Sequence, residues 1–416
     1  MPSSNHSAMI SPAKAAQTPT ILYLHHAKNP AKNRRVLDGM RRFARTVGWD
    51  VAPAGIDGMT KAAVRKLVIA QGATGCVLDA EGNRIDWGER PFGPKVPVVL
   101  IDPENANCRN ATAALLCDNA AIADAAFREL TAGHPPSFAA ITYWNPALRW
   151  ARERVEAFRA ICAESKRDCA IFQARGIEAP EVRMERLAEW AAALPNNVAI
   201  FAVNDFTAVE TAIALHSRHR HIPKTATLVG VDGFPERHDI PPSPVAITSV
   251  DVNFESAGFL AAKMLWDVVA TKSTKEHKDF VNSVSFVAKN ATFGPLLVVR
   301  RASTGGRGRR ERFVLEAAEA IRREACDGLT ATELAARFPV SRKHFERRFR
   351  EATGHSVLDE ILHIRLEQVT AYLLRRDIAI DAIAGLCGFG SEIELRRLFR
   401  RRFGMSMSEW RARNAI

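Results

Sequence analysis

Paired cysteines, long apolar runs and the short signatures of common enzymes are what this 416-residue sequence lacks. Its seven cysteines (Cys76, Cys108, Cys117, Cys162, Cys169, Cys326 and Cys387) are scattered, odd in number and never spaced as C-x-x-C. That excludes a disulfide-stapled secreted scaffold and reads as reduced thiols in a cytoplasmic protein. No apolar stretch approaches the ~18 residues that would cross a bilayer, so no membrane partner is expected. The amino terminus is polar and rich in Ala, Pro and Ser, without the apolar core of about 7–15 residues that a secretory signal needs. Residues 1–17 read as a loose tail.

G-x-S-x-G, H-E-x-x-H and G-x-x-x-x-G-K-[ST] are all absent, which argues against the enzymes they mark. Histidines do not fill the gap. His25 and His26 are adjacent on a strand candidate and point to opposite faces, while His216, His219 and His221 sit at a helix end beside Arg218 and Arg220. Neither a metal nor a cofactor is expected. Lysine is also scarce late in the chain: from Arg301 onward there are 23 cationic residues against 16 acidic ones, and only Lys343 is a lysine. Arginine is the better bidentate partner for phosphates and guanine edges. With a formal net charge of +12 overall, that concentration implies a polyanionic partner.

Hydrophobic residues make up 47% and charged residues 25%, an ordinary globular composition, and the length implies two or three domains. The stretch from residue 300 to residue 311 is small, basic and without periodic apolar residues, and reads as a linker. After it, residues 312–416 are helical almost throughout, and two blocks repeat one design. In the first, Leu334-Ala335 lie on a short helix, Phe338-Pro339-Val340 turn, and Ser341 caps a second helix whose Phe345 and Phe349 face inward. Lys343, Glu346, Arg347 and Arg350 make the opposite, exposed stripe. In the second block Ile383-Ala384, the turn Cys387-Gly388-Phe389-Gly390 and Ser391 lead into a helix anchored by Leu395, Leu398 and Phe399. Its exposed side offers Glu392, Arg396, Arg397 and Arg400. Between them a helix from Val357 to Arg375, about 27 Å long, can hold two recognition helices near the ~34 Å spacing of successive major grooves.

Residues 18–299 alternate short apolar runs with helical stretches, which means α/β with parallel sheets. Strand candidates are Thr20-Leu24, Gly75-Leu78, Val96-Ile101, Phe138-Ile141, Ala199-Val203, Thr227-Val231 and Ala246-Val250. Ligands of such sheets bind beyond the carboxyl ends of the strands, where Asp79, Asp102, Asn204-Asp205 and Asp232 stand. A sugar would use their carboxylates and amide, with Arg154 as donor. Plainer roles stand beside these: Asn204 or Asp205 as the cap of the helix beginning at Thr207, Asp232 as the holder of the Gly233 turn, Arg154 as helix surface.

The motifs Leu334-Ala335, Ser341, Phe345, Arg347, Phe349, Gly354, Arg365-Leu366, Ile383-Ala384, Gly388-Phe389, Phe399, Phe403-Gly404 and Arg411 resemble the AraC/XylS family of transcription regulators. That resemblance implies double-stranded DNA as partner, with base-reading positions at Lys343, Glu346 and Arg347, and at Glu392, Ile393 and Arg397. Ile393 and Glu394 depart from the Ser and aromatic common there, and Met407 replaces a frequent proline. Ala199 to Asp205, Ile222-Pro223, Leu228 to Gly233 and Thr248 to Asp251 are similar to the LacI-type, periplasmic-binding-protein-like effector domain. This likeness implies two lobes around an effector touched by Asp205, Asp232 and Arg154. A LacI-like sensor followed by an AraC-type reader resembles regulators of bacterial sugar operons, and Arg34, Val36-Leu37 and Gly39 fit that group. It implies D-xylose or a related pentose as effector, a homodimer, and RNA polymerase as a further partner. Another metabolite or glycoside as effector, and a solute-binding protein without a regulatory role, are the alternatives.

Overall fold

Apolar strands that alternate with amphipathic helices build two similar lobes, and the all-helical remainder packs against both. The computed structural model describes residues 18–27, 29–80, 92–93, 96–104, 113–145, 148–176, 178–233, 242–273, 290–305 and 312–414. The amino-terminal tail expected over residues 1–17, and residues 306–311 of the expected linker, lie outside them. The first lobe begins with β1 (Thr20–His25), α1 (Pro30–Val47), β2 (Asp50–Gly55), α2 (Lys61–Ala70), β3 (Gly75–Asp79), β4 (Val98–Ile101) and β5 (Ala113–Cys117). The chain then crosses to the second lobe with α3 (Asn119–Thr131), β6 (Ser137–Ile141), α4 (Arg149–Glu164), β7 (Cys169–Phe172), α5 (Pro180–Ala193), β8 (Val198–Ala202), α6 (Asp205–Ser217), β9 (Ala226–Val231) and β10 (Thr248–Val252). It returns through α7 (Phe254–Ser273) and β11 (Asn290–Phe293), and crosses once more into β12 (Pro295–Val299).

The strand orders are β11-β5-β4-β3-β1-β2 and β12-β10-β9-β8-β6-β7, and every pairing is parallel except β10 with β12. The three crossings lie side by side, since Asp118 N–H donates to Phe293 O at 2.7 Å and Asn253 N–H to Gly294 O at 3.0 Å. They form a three-segment hinge. Helices α1 and α7 cross at two glycines: a Cβ on Gly39 would lie 1.9 Å from Glu255 O, and one on Gly258 would lie 1.9 Å from Val36 O. Only glycine permits that approach, and it turns the other, arginine-rich face of α1 toward the carboxyl-terminal helices.

Those helices are α8 (Arg312–Glu324), α9 (Ala331–Ala336), α10 (Arg342–Thr353), α11 (Val357–Leu373), α12 (Ala382–Leu386), α13 (Glu392–Phe403) and α14 (Met407–Asn414), with a short 3₁₀ turn, Ala325–Asp327, after α8. Buried Arg365 on α11 ties the two halves. It donates from Nε to Ala325 O and from Nη2 to Leu329 O, both at 2.8 Å, and stacks 5.6 Å over Phe389. Gly388 completes the tie, with φ +73° and a hypothetical Cβ 2.8 Å from Cys326 O.

The start of the expected linker is corrected by the structure. Ala302–Thr304 form a 3₁₀ turn on the second lobe, with Ser303 fully buried and donating from Oγ to Leu228 O at 2.6 Å. Small polar residues here fit a tight seat, which composition alone cannot distinguish from freedom.

Candidate functional site

The cleft between the lobes gathers the carboxyl ends of both sheets, where parallel strands leave room for ligands. In the second lobe, Arg154 on α4 is only 4% exposed. Its Nε donates to Asn119 Oδ1 at 3.0 Å, its Nη1 donates to Val203 O at 2.7 Å, and the guanidinium lies 4.8 Å over the Trp150 ring. The same Nη1 stands 3.5 Å from Asp232 Oδ1. Arg154 is thus a fixed donor in the cleft wall and not helix surface. Asp232 keeps part of its carboxylate accessible and holds φ at +109°, a value rare for a non-glycine residue and common where a site dictates the backbone.

Above this pair, Tyr143 packs against Trp144, Trp150 and Phe206 at centroid distances of 5.1, 5.4 and 6.4 Å. Trp144, three residues beyond β6, remains exposed, and the ring cluster reaches Arg154 through Trp150. The spacing-based reading missed these rings. An aromatic pair immediately after a buried strand, Tyr143-Trp144, was the available signal.

The neighbouring candidates turn inward. Asn204 is the cap of α6 and accepts from Thr207 N–H at 2.9 Å. Asp205 is buried beside Gly230 and accepts from Ser249 Oγ at 2.6 Å, while that same Oγ accepts from Gly233 N–H at 3.0 Å. Asp205, through Ser249 and Gly233, thus holds the loop that carries Asp232, while Asn204 fixes the start of α6. On the first lobe, Asp79 ends β3 and pairs with buried Lys32 of α1, with Nζ at 3.0 and 2.9 Å from its two oxygens. Lys32 had no place in the sequence argument because a lysine on a helix gives no sign of burial.

Among the described residues, ion pairs at two places span the lobes. Arg149 at the start of α4 meets Asp102 at the end of β4, and also Glu153 at 2.7 Å. Burial works against the Arg149 charge, but Asp102 and Glu153 outweigh it and hold the guanidinium pKa above its ordinary value. Arg35 of α1 meets Asp251 of β10 at 2.6 Å.

The second candidate surface lies on α10 and α13. Ser341 accepts from His344 N–H at 3.3 Å, and Ser391 accepts from Glu394 N–H at 3.2 Å, so each helix begins with a hydroxyl cap. Phe345 with Phe349, and Leu395 with Phe399, are buried. Lys343, Arg347 and Arg350, and on the other helix Arg396 and Arg397, are exposed. Glu346 and Glu392 bind their own helix, taking Arg342 and Arg396 at 2.8 Å. Ile393 is 80% exposed.

The reader is joined to both lobes. Leu296, Leu297 and Val299 of β12 lie in one buried cluster with Phe313, Phe345 and Phe349 of the first helix-turn-helix half. Ala371 and Leu374, at the end of α11, are buried with Met40 and Phe43 of α1.

Comparison with known proteins places both parts. Residues 334–413 match a helix-turn-helix domain, and residues 127–292 match a periplasmic binding protein-like domain. The chain is 27% identical over 398 residues to the xylose operon regulatory protein of Escherichia coli K12, covering 93% of this chain and 95% of that one. To the protein of that name from Haemophilus influenzae it is 24% identical, covering 64% and 66%. Among solved structures, a xylose-binding transcription activator matches with a TM-score of 0.55 at 23% identity, over 96% of this chain and all of the other. The lac repressor dimer bound to operator matches with a TM-score of 0.51 at 13% identity, over 70% and 95%. A two-lobed α/β domain similar to periplasmic binding proteins therefore precedes a helix-turn-helix domain in this chain.

Proposed function

We propose that the protein is a sugar-responsive, sequence-specific DNA-binding transcription regulator of the cytoplasm, acting as a regulator and not as an enzyme. One observation carries the reading: β12 leads directly out of the third hinge segment at Gly294 and is a wall of the first helix-turn-helix core. A change of lobe angle cannot leave α10 untouched, because packed interiors transmit displacement.

The effector is a sugar held between Asp232, Arg154 and the Tyr143-Trp144 face on one lobe, with Asp79 across the cleft. Carboxylates and a guanidinium match hydroxyls that both donate and accept, and the flat rings cover the apolar face of the sugar. D-xylose or a related pentose is the first choice, because relatives named for xylose align along nearly the whole chain. Asp205 acts by positioning Asp232, and Asn204 by capping α6 behind it. On DNA, Lys343, Glu346 and Arg347 of α10, and Glu392, Ile393 and Arg397 of α13, face base edges, while Ser341, Arg350, Ser391 and Arg396 serve caps and phosphates. Two copies of the chain, each with two recognition helices, would engage paired sites and RNA polymerase.

The test is thermal unfolding of the full chain against a panel of pentoses and hexoses. At a hundred times its dissociation constant, the effector stabilises the folded sensor by about 2.7 kcal/mol. A shift with D-xylose that disappears in Asp232→Asn supports the assignment. Silence across the panel with DNA binding intact removes the simple sugar and leaves a glycoside or another metabolite.

A further inference from the structure

Outside the cleft, the sensor and the reader meet across a cavity of about 960 Å³. It lies between α1 of the first lobe and the α8–α11 side of the reader. Seven arginines line it, five from α1 between Arg34 and Arg45 together with Arg322 and Arg323 of α8, against four carboxylates, Asp38, Glu255, Glu319 and Asp327. The heptad spacing of Arg34, Arg35, Arg41 and Arg42 puts these cations on one face of α1.

Arg35 and Arg323 have partners outside the cavity lining, Asp251 at 2.6 Å and Glu324 at 2.7 Å, so the unmet demand is local to Arg42 and Arg322. Glu255 is shared by two guanidiniums, Arg42 Nε at 3.5 Å and Arg322 Nε at 3.2 Å. Arg42 also reaches Glu367 of α11 at 3.2 Å. Even so, Arg322 Nη1 and Arg42 Nη1 are buried without a hydrogen-bond acceptor, and the Arg322 side chain is only 8% exposed. Gln368 Oε1, on the same wall, is buried without a donor. Buried polar groups are nearly always satisfied, and an unsatisfied guanidinium N–H is costly. Burial, and next the neighbouring Arg35 charge, push the Arg322 pKa below its ordinary value. An anion between α1 and α8 would stabilise the charged guanidinium against both.

We propose that this joint is a second regulatory site, which binds a small phosphorylated metabolite through Arg322, Arg42 and the exposed arginines of α1. Its volume is within the ~300–1,000 Å³ of small-molecule sites, and it is enclosed by the sensor on one side, so it does not admit a duplex. Phosphate oxygens suit arginine forks, and Gln368 Oε1 accepts a hydroxyl of the organic part. The inference is independent of which sugar fills the cleft. The site senses a phosphate ester at the surface through which the first lobe holds α11, so occupancy sets how firmly the reader is held.

Calorimetric titration of the full-length protein with inorganic pyrophosphate, at ionic strength fixed by sodium chloride, tests it. One pyrophosphate per chain is expected, binding more tightly than inorganic phosphate, with affinity reduced tenfold or more by Arg322→Gln and by Arg45→Glu and unchanged by Arg347→Ala. Without pyrophosphate, Arg322→Gln should melt no lower than the parent, since it removes a poorly compensated buried charge. Arg45 is exposed, so Arg45→Glu decides the matter if Arg322→Gln fails to fold. Absence of binding, equal affinity in all variants, or loss confined to Arg347→Ala, which would put the anion on the DNA-facing helices, each overturns the proposal.

Discussion

Charge is arranged in opposite ways in the two halves of this molecule. In the sensor cleft the ions are buried, paired and geometrically fixed: Arg154 with Asn119, Val203 O and Asp232, and Lys32 with Asp79. On α10 and α13 they are exposed, and their partners are one helical turn away, as with Arg347 and Glu351 at 3.4 Å or Arg396 and Glu392 at 2.5 Å. Buried ions are expensive to strand, whereas exposed pairs of that kind contribute little and exchange readily. The ions of the cleft are therefore held in fixed geometry, and the cations of α10 and α13 can exchange partners readily.

The largest effect should come from breaking the buried arrangement. Arg154→Met leaves Asn119 Oδ1, Val203 O and Asp232 without their donor, and should destabilise the sensor by about 3–5 kcal/mol in a denaturant titration. The sugar-dependent thermal shift should vanish with it. A loss below about 1 kcal/mol would mean that the Arg154 network is not the keystone of the second lobe. Arg347→Ala should do the reverse. It should change the melting temperature little, since its pairs are exposed, and weaken binding to the cognate site by about 1–3 kcal/mol in a mobility-shift titration. A stability loss as large as that of Arg154→Met would break the contrast between the halves.

The same contrast explains what could be read in the sequence. The duplicated helix-turn-helix was legible because its information is local: hydroxyl caps at Ser341 and Ser391, phenylalanines at helical spacing, and glycines that end α10 and α13 in left-handed conformation at φ +82° and +71°. The alternation of central strands and helices was legible for the same reason, except at β5 (Ala113–Cys117), which lies inside its sheet between β11 and β4 and was not anticipated. Edge strands were not. β2 is interrupted by Pro53 and β7 is an apolar run of only four residues with Ala170 exposed, so neither stands out as a strand. Strand β12 does carry one, but its antiparallel place beside β10 and its packing on Phe345 depend on residues remote in sequence. Asp79, Arg154 and Asp232 could be nominated from strand ends and resemblance. Lys32, Arg149 and the ring cluster at Tyr143 were missed, since burial of a helical cation and the meeting of two lobes leave no local periodicity.

A smaller effect separates the two recognition helices. Exposed Ile393 on α13 is the apolar member among polar base-facing candidates, and a thymine methyl is the groove feature that an apolar side chain reads. Ile393→Ala should cost about 1 kcal/mol on a site with thymine at that step. Replacing that thymine by uracil should weaken the parent protein by a similar factor and leave Ile393→Ala unaffected. If both proteins respond equally to the methyl, the contact lies elsewhere on the helix.

The smallest effect belongs to an exposed pair in the reader and has a defined pH window. Glu324, at the end of α8, pairs with Arg337 at 2.6 Å and Arg323 at 2.7 Å, and those hydrogen bonds lower its carboxyl pKa from 4.5 to about 2. A carboxylate whose folded pKa is depressed contributes stability above its unfolded pKa and loses it as pH falls through the folded value. The contribution of Glu324 should be complete above about pH 4.5 and gone near pH 2. Glu324→Gln should therefore melt slightly below the parent at neutral pH, with the gap closing on acidification through that window. Solvent screening keeps the gap small, and added salt should narrow it further. In the cleft, Arg154 should show no comparable salt dependence, because its partners are buried with it. An equal response of both sites to salt would remove the distinction between a preorganised cleft and an exchangeable surface.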